Sequence, residues 1–87
     1  MAETTIRPIG SVKGFFAKPS AAVIELTEEL RVSDRIYIRG HTTDFQQLVE
    51  SIQFEHQSID KAEPGQIVGV VVRQRCRKRD LVYKLTA

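Results

Sequence analysis

The clearest hydrophobic pattern in the chain lies in residues 21–40, where apolar and polar side chains alternate on either side of a short polar segment. Ile24 and Leu26 recur at every second residue of the first run, which is the period of a strand with one face on a core. Ile36 and Ile38 do the same in the second run. The segment between the runs is too short for a crossover helix, so the pattern predicts two strands that are antiparallel neighbours.

Two other apolar runs also predict strands. Residues 6–16 contain Gly10 and Gly14, so we expect a curved strand in which glycine permits the bend. Residues 66–72 are apolar at nearly every position, which is typical of a central strand. The segment before this strand, residues 60–65, contains Pro-Gly and predicts a turn.

The last run, residues 81–85, alternates again and predicts a closing strand with Leu81 and Tyr83 turned inward and Val82 turned outward. The predicted core therefore draws on eleven positions. They are Val12, Ile24, Leu26, Ile36, Ile38, Ile52, Phe54, Val68, Val70, Leu81 and Tyr83.

Residues 43–53 fit two structures. Phe45, Leu48, Val49 and Ile52 have the spacing of an amphipathic helix. The alternative is a long strand with Ile52 turned inward, and the strands on either side favour it because a helix there would leave sheet edges exposed.

Composition limits the chain to one core. With 87 residues, of which 41% are hydrophobic, we expect a flexible N-terminus at residues 1–5 and a single β-barrel domain at residues 6–87. One cysteine, Cys76, cannot form an internal disulfide, and no apolar run is long enough to cross a membrane. These features favour a cytoplasmic protein in which Cys76 is a small buried side chain rather than a reactive thiol.

The ordered motifs resemble a known family. The motifs are a glycine in the first strand, a Leu-x-x-x-Asp turn, Pro64-Gly65 before Val-Gly-Val, and the final Asp-Leu-Val. In this order they are similar to the second, β-barrel domain of translational GTPases such as elongation factor Tu and initiation factor 2. The small proteins called translation elongation factor-like are more similar still, with residues 40–45 as their loop. A related barrel ends some collagenase-like peptidases.

The resemblance implies a single small antiparallel β-barrel of the translation-factor type, with residues 43–56 as strand. It also implies a separate GTPase domain, and no phosphate-binding Gly-x-x-x-x-Gly-Lys motif occurs here, so we expect no GTP binding by this chain alone. In the family, the turns before the third and last strands carry Gly-Asp, whereas this chain has Ser33-Asp34 and Arg79-Asp80. Those two turns are expected to differ in type.

A basic segment at residues 73–79 is the strongest candidate for RNA binding, through Arg73, Arg75, Arg77, Lys78 and Arg79. If it is extended, its arginines share one face and can follow phosphates. The alternative is a solvated strand end, because the net charge is only +2. The charge is uneven along the chain: residues 41–66 carry five carboxylates against one lysine, and residues 67–87 carry six lysines or arginines against one aspartate.

Two further sets of residues are weaker candidates. Arg35, Tyr37 and Arg39 form a possible second RNA patch, in which an exposed tyrosine could stack a base. The loop after Gly40 is a possible binding loop, consisting of His41, Thr42, Thr43 and Asp44.

The leading hypothesis from sequence is a non-catalytic module that binds transfer RNA or a ribosome-associated RNA. The rival is a protein-interaction module that acts in trans with an enzyme such as a collagenase-like peptidase. We expect no enzymatic activity, because no nucleophile elbow or catalytic cluster occurs. No metal or cofactor is expected either, since His41 and His56 lack the spacing of metal ligands.

Overall fold

The computed structural model describes residues 7–18 and 20–85, and the predicted flexible N-terminus at residues 1–5 lies outside them. Every regular element in the described residues is a β-strand. The strands are β1 (Arg7–Ala17), β2 (Ser20–Leu26), β3 (Leu30–Arg31), β4 (Arg35–Arg39), β5 (Asp44–Leu48), β6 (Ile52–Phe54), β7 (Gln57–Ile59), β8 (Lys61–Ala62), β9 (Ile67–Val71) and β10 (Leu81–Leu85).

Eight of these strands form one sheet in the order β5-β4-β10-β1-β2-β9-β6-β7, while β3 pairs with β8 separately. Each ladder is antiparallel, so the predicted all-β antiparallel class is confirmed. β5 and β7 are the two edges of the sheet. No ladder joins them within the described residues, so the closed barrel expected from the sequence is not found.

One side chain bridges part of the gap that a closed barrel would fill. Gln47 of β5 is only 4% exposed. Its Nε2 donates a hydrogen bond to the Val71 carbonyl oxygen at 2.9 Å, and its Oε1 accepts one from the Arg73 amide at 2.8 Å. The sheet is therefore curled enough to bring β5 to the end of β9, but an amide side chain makes the connection instead of a backbone ladder.

β1 is bent at two bulges, as the glycines predicted. The register shifts between Pro8 and Gly10 on the β10 side, and between Val12 and Gly14 on the β2 side. A Cβ at Gly10 would collide with the carbonyl oxygen of Glu25 in β2, so glycine is needed for the close approach of these strands.

The prediction that the runs containing β2 and β4 are neighbours is wrong. β2 lies between β1 and β9, and β4 lies between β10 and β5. The residues between them include β3, which pairs with β8 and so leads the chain away from a hairpin. Instead, β1 and β2 form a hairpin, which leaves the other edge of β2 free for β9.

Most of the predicted core is confirmed. The buried positions among those predicted are Val12, Ile24, Leu26, Ile36, Ile38, Ile52, Val68 and Val70. Phe54 is half-buried and packs against this cluster. Burial also reaches residues that were not predicted, chiefly Leu30, Val49, Val72 and Val82.

The prediction of which β10 residues face the core is wrong. Val82 is fully buried, whereas Leu81 is 42% exposed and Tyr83 is half-buried. The register explains this, because Val82 lies opposite the inward-facing Ile38 of β4 and opposite Gly10 of β1. Because successive residues of a strand point to opposite faces, Leu81 and Tyr83 must face outward.

Residues 43–53 form neither the helix nor one long strand. β5 alternates, with Phe45 and Gln47 buried, and the chain then breaks before β6. The helical spacing of the sequence is therefore misleading, and two short strands, β5 and β6, stand where one long strand was the alternative. Pairing of β5 with β4 over its whole length accounts for the outcome.

The turn that precedes β10 is closed by an aspartate. The Arg77 amide donates to Asp80 Oδ2 at 2.8 Å, and the Asp80 amide donates to the Arg77 carbonyl at 3.0 Å. Arg79 has φ 82°, in the left-handed region. Val12 of β1 pairs with the turn, since the Arg79 amide donates to the Val12 carbonyl and the Val12 amide to the Asp80 carbonyl, both at 2.8 Å.

The turn that precedes β4 has the same construction. The Arg31 amide donates to Asp34 Oδ2 at 2.8 Å, and the Asp34 amide donates to the Arg31 carbonyl at 3.1 Å. Ser33 has φ 81°, and its amide donates to the Val49 carbonyl at 2.8 Å. The two turns are therefore alike, and both adopt the left-handed conformation that glycine would adopt without strain.

The strands that follow these two turns pair with each other about a central residue pair. Tyr37 of β4 lies opposite Tyr83 of β10, Arg39 opposite Leu81, and Arg35 opposite Leu85. Each residue of β4 therefore lies opposite a residue of β10. A two-fold relation, with the two tyrosines at its centre, relates one turn and its strand to the other turn and its strand.

Candidate interaction surfaces

A basic loop, defined as residues 73–79, joins β9 to β10 at one end of the sheet. All five of its cationic residues are exposed: Arg73, Arg75, Arg77, Lys78 and Arg79. The loop is not a strand, so the extended conformation in which its arginines would share one face is not formed. The turn closed by Asp80 breaks the extended conformation.

Cys76 lies beneath the basic loop and is buried, as predicted. Its Sγ is 3.7 Å from the Gln74 carbonyl oxygen. Burial, together with the nearby Asp80 carboxylate, raises the pKa of the thiol to about 11. Only the thiolate is nucleophilic, and a thiol with this pKa stays protonated at neutral pH. Cys76 is therefore a small, packed apolar side chain that is not suited to chemistry.

Arg35, Tyr37 and Arg39 lie on the outer face of β4, as predicted from their alternation. The tyrosine is already engaged: its ring centroid is 6.0 Å from that of Tyr83, with the planes inclined at 34°. A hydrogen bond to Asp44 raises the pKa of Tyr37. The ring is therefore held by two neighbours rather than being free to stack on a ligand.

The predicted binding loop is a tight turn in which the Gly40 amide donates to the Thr43 carbonyl at 2.8 Å. His41, Thr42 and Asp44 are exposed, but Thr43 is buried, so it cannot meet a ligand directly. A Cβ at Gly40 would fall on the Asp80 carboxylate. The structure thus brings this turn against the end of the basic loop, which sequence separation alone does not show.

Sequence reasoning missed an apolar surface on the opposite face of the sheet from the core. Phe16 is 62% exposed, Ile67 50% and Val71 40%. Cross-strand register aligns Phe16 of β1 with Ala21 of β2, and Ala21 with Val71 of β9. We call this the outer apolar face, and its members are Phe16, Ala21, Val23, Ile67 and Val71.

A signal for this surface was present in the sequence. The apolar run of residues 66–72 predicted a central strand, and β9 does lie between two strands, β2 and β6. Its inward residues, Val68 and Val70, are buried, but Ile67 and Val71 on its other face are exposed. An apolar residue pattern on both faces of a strand, with only one face covered, marks a candidate interaction surface.

A depression of about 260 Å³ continues this surface toward β10. Ile67 lies opposite Glu25, and Glu25 lies opposite Ser11, so the depression and the outer apolar face adjoin. Glu25 is paired with Lys13 at 3.1 Å. The residues that line the depression are Pro8, Gly10, Ser11, Glu25, Thr27 and Leu81.

Neither a metal centre nor a membrane-crossing helix is found in residues 7–18 and 20–85. No group of three or more histidine, cysteine, aspartate or glutamate side chains in these ranges could hold a metal ion. No helix in the same ranges is long and apolar enough to span a membrane.

Solved structures with the same fold come from a peptidase. The C-terminal domain of a candidate U32 peptidase from Geobacillus thermoleovorans superposes with a TM-score of 0.82, covering 97% of this chain and 97% of that domain at 24% identity. A selenomethionine form of the same domain gives a TM-score of 0.83 over 87% of this chain and 96% of that one. This chain has the fold of that C-terminal domain.

Similar sequences also come from peptidases. An uncharacterized protease of Methanocaldococcus jannaschii is 40% identical over 78 residues, which are 88% of this chain and 19% of that protein. A collagenase of Porphyromonas gingivalis is 33% identical over 78 residues, 87% of this chain and 22% of that protein. The chain thus spans about a fifth of the length of these relatives. No model of a known protein family matches it.

These findings overturn the resemblance to translation factors and the RNA-binding function that it implied. The motifs that carried the resemblance have structural roles here. Gly65 has φ 90°, Gly10 allows β1 and β2 to approach, and Asp80 closes a turn. Residues with such roles specify the geometry of a small antiparallel sheet, and sheets of similar geometry serve unrelated functions.

Proposed function

We propose that this chain is a non-catalytic protein-interaction module that acts in trans with a peptidase, docking through the outer apolar face. The observation that carries the proposal is the coincidence of two features. The matched segment makes up about a fifth of larger proteins named as a protease and a collagenase. In this chain, the same fold leaves Phe16, Ile67 and Val71 exposed on one surface.

The physical case rests on the chemistry of this surface. A contiguous row of apolar side chains across three strands is unfavourable in water, and burying it releases free energy in proportion to the area covered. The adjoining depression offers a place for an apolar side chain of the partner, and its rim carries the Lys13–Glu25 ion pair. An apolar centre with a polar rim is the usual anatomy of a protein–protein interface.

Binding to a truncated relative tests the proposal. The partner is the M. jannaschii protease from which its own matched 78 residues have been removed, immobilised for surface plasmon resonance, with that removed segment as the positive control. We expect this chain to bind with micromolar affinity. The double variant Phe16→Asp/Val71→Asp should bind at least tenfold more weakly, because it places charges where apolar contact is needed.

The matched control changes the same number of charges elsewhere. Leu48→Asp/Gln57→Asp alters an exposed leucine and an exposed glutamine on the two edge strands, and it should bind within twofold of the unmodified chain. Circular dichroism checks that both variants fold. If the removed segment binds and this chain does not, or if both double variants weaken binding equally, the proposal is wrong.

A further inference from the structure

Most cations of the basic loop have no carboxylate partner within the described residues. Arg73 is 3.7 Å from Glu50. Within the described residues, Arg75, Arg77, Lys78 and Arg79 form no ion pair. The nearest carboxylate along the chain, Asp80, is buried and already accepts the Arg77 backbone amide.

The similar turn before β4 provides a comparison within the molecule. There, Arg31 Nε donates to Glu29 at 2.9 Å, and Lys61 lies 3.6 Å from the same carboxylate and 3.3 Å from Glu63. The two turns share their backbone hydrogen bonds and their left-handed residue. They differ in charge balance, since one has carboxylates beside its cations and the other does not. The unbalanced charge is therefore a property of the loop and not a requirement of the turn.

The basic loop is also held in place at several points. Gln47 binds the Arg73 amide, the Asp80 carboxylate binds the Arg77 amide, and the Arg79 amide binds β1. Cys76 anchors the middle of the loop in the core. Because the backbone is ordered before binding, a ligand of these arginines does not have to order it, which favours affinity.

The chemistry of the loop favours carboxylates over stacked bases. No residue of the loop is aromatic, and Tyr37 on β4 is occupied by Tyr83 and Asp44. Single-stranded nucleic acid binding relies on aromatic platforms beside the cations. A net charge of only +2 also gives little long-range attraction for a polyanion, whereas a guanidinium can bind a single carboxylate in a bidentate manner.

We infer that the basic loop docks an acidic polypeptide segment, whose carboxylates pair with the exposed guanidinium groups of Arg75, Arg77 and Arg79. This interaction surface shares no residue with the outer apolar face, and the inference does not depend on the peptidase docking proposed above. The partner contributes a stretch in which several aspartate or glutamate side chains lie close together.

Fluorescence anisotropy tests this inference. The probe is a fluorescein-labelled twelve-residue peptide of alternating glutamate and glycine, and the reference is the same peptide with glutamine. We expect the glutamate peptide to bind at low salt and to weaken at least tenfold between about 20 and about 300 mM NaCl, because exposed charges are screened. The glutamine peptide should bind at least tenfold more weakly at low salt.

Two double variants with the same change in charge locate the site. Arg75→Gln/Arg77→Gln removes two unpaired cations and should weaken peptide binding at least tenfold. Arg31→Gln/Lys61→Gln removes two cations that are already paired, and binding should stay within twofold. Equal losses in the two variants, or no binding at low salt, would overturn the inference. So would tighter binding of a labelled RNA of equal charge, which would assign the loop to nucleic acid.

A result here is separable from the test of peptidase docking. The variant Phe16→Asp/Val71→Asp should bind the acidic peptide as tightly as Leu48→Asp/Gln57→Asp does, because the two variants add the same negative charge. Arg75→Gln/Arg77→Gln should keep its affinity for the truncated protease. If one variant loses binding to both the acidic peptide and the truncated protease, misfolding is the cause, and circular dichroism would detect it. In that case the conservative variant Arg75→Lys/Arg77→Lys tests the inference, because it keeps both charges and should retain salt-sensitive peptide binding.

Discussion

The structure constrains the identity of Gly40 sharply. A Cβ at this position would fall on the carboxylate of Asp80, which is buried and which holds the turn before β10. Gly69 of β9 offers a contrast, because a Cβ there meets nothing within 4 Å. The same chemical change, from glycine to alanine, therefore has opposite expected effects at the two sites.

We predict that Gly40→Ala lowers the free energy of unfolding by about 2 to 3 kcal/mol, the scale of overpacking in a filled site. Gly69→Ala should be neutral or raise it by about 0.5 kcal/mol, because alanine reduces the freedom of the unfolded chain. Urea unfolding of both variants measures the difference. Equal stabilities would contradict the close approach of Gly40 and Asp80.

Cys76 gives a prediction of pH dependence. Burial raises the pKa of its thiol to about 11, whereas an unfolded cysteine titrates near about 8.5. The folded state holds the proton more tightly, so the stabilising contribution is complete below about pH 8.5 and is lost as the pH rises through about 11. Wild type should therefore lose about 1 to 2 kcal/mol relative to Cys76→Ala between about pH 7.5 and about pH 10.

The measurement is urea unfolding of both proteins at several pH values, taking the difference so that lysine and tyrosine titration cancels. A constant difference across this range would show that the thiol is not desolvated. Slow reaction of the native thiol with a disulfide reagent at about pH 8, and rapid reaction in denaturant, should accompany the expected result.

At the scale of elements, the two similar turns show why a left-handed residue need not be glycine. Ser33 and Arg79 have φ near 80° and are held there by aspartate and backbone hydrogen bonds. The sequence comparison with Gly-Asp turns predicted a different turn type, and the backbone instead accepts the strain at both positions.

We predict that Arg79→Gly raises the free energy of unfolding by about 0.5 to 1 kcal/mol, since relief of the left-handed strain exceeds the added freedom of glycine. Lys78→Gly removes the same charge from the neighbouring position, which has no positive φ, and should lower stability by about 0.5 to 1 kcal/mol. Thermal unfolding compares the pair. Destabilisation by both changes would mean that Arg79 contributes contacts that outweigh its strain.

The elements also show what sequence could and could not predict. The predicted strands, and the residues predicted to face the core, were correct where polar residues mark one face, as at Ile36 and Ile38. They failed at β10, where Leu81, Val82 and Tyr83 are all apolar and the neighbouring strands decide which one is buried. The neighbours of β2 depend on long-range pairing, which no local pattern encodes. The apolar run of residues 66–72 indicated only part of the outer apolar face, because Phe16 and Ala21 join it through cross-strand pairing. The basic loop was visible in sequence, but its turn was not.

At the scale of the whole molecule, the open sheet should determine which backbone amides are protected from hydrogen exchange. β2 is paired on both sides, by β1 and β9, while β5 and β7 each have a strand on one side only. Amide hydrogen exchange should therefore be slowest in β2 and fastest in β7, which is short and exposed. In a closed barrel, the amides of β5 would be protected as strongly as those of β2.

Gln47 provides the sharper form of this test. Gln47→Met keeps the size of the side chain but removes the hydrogen bonds to the Val71 carbonyl and from the Arg73 amide. We predict that exchange at Arg73 accelerates at least tenfold and that stability falls by about 1 to 3 kcal/mol, because buried backbone groups lose their partner. Gln46→Met, at the exposed neighbouring position, should change neither. An unaltered Arg73 amide in Gln47→Met would show that another group joins β5 to β9.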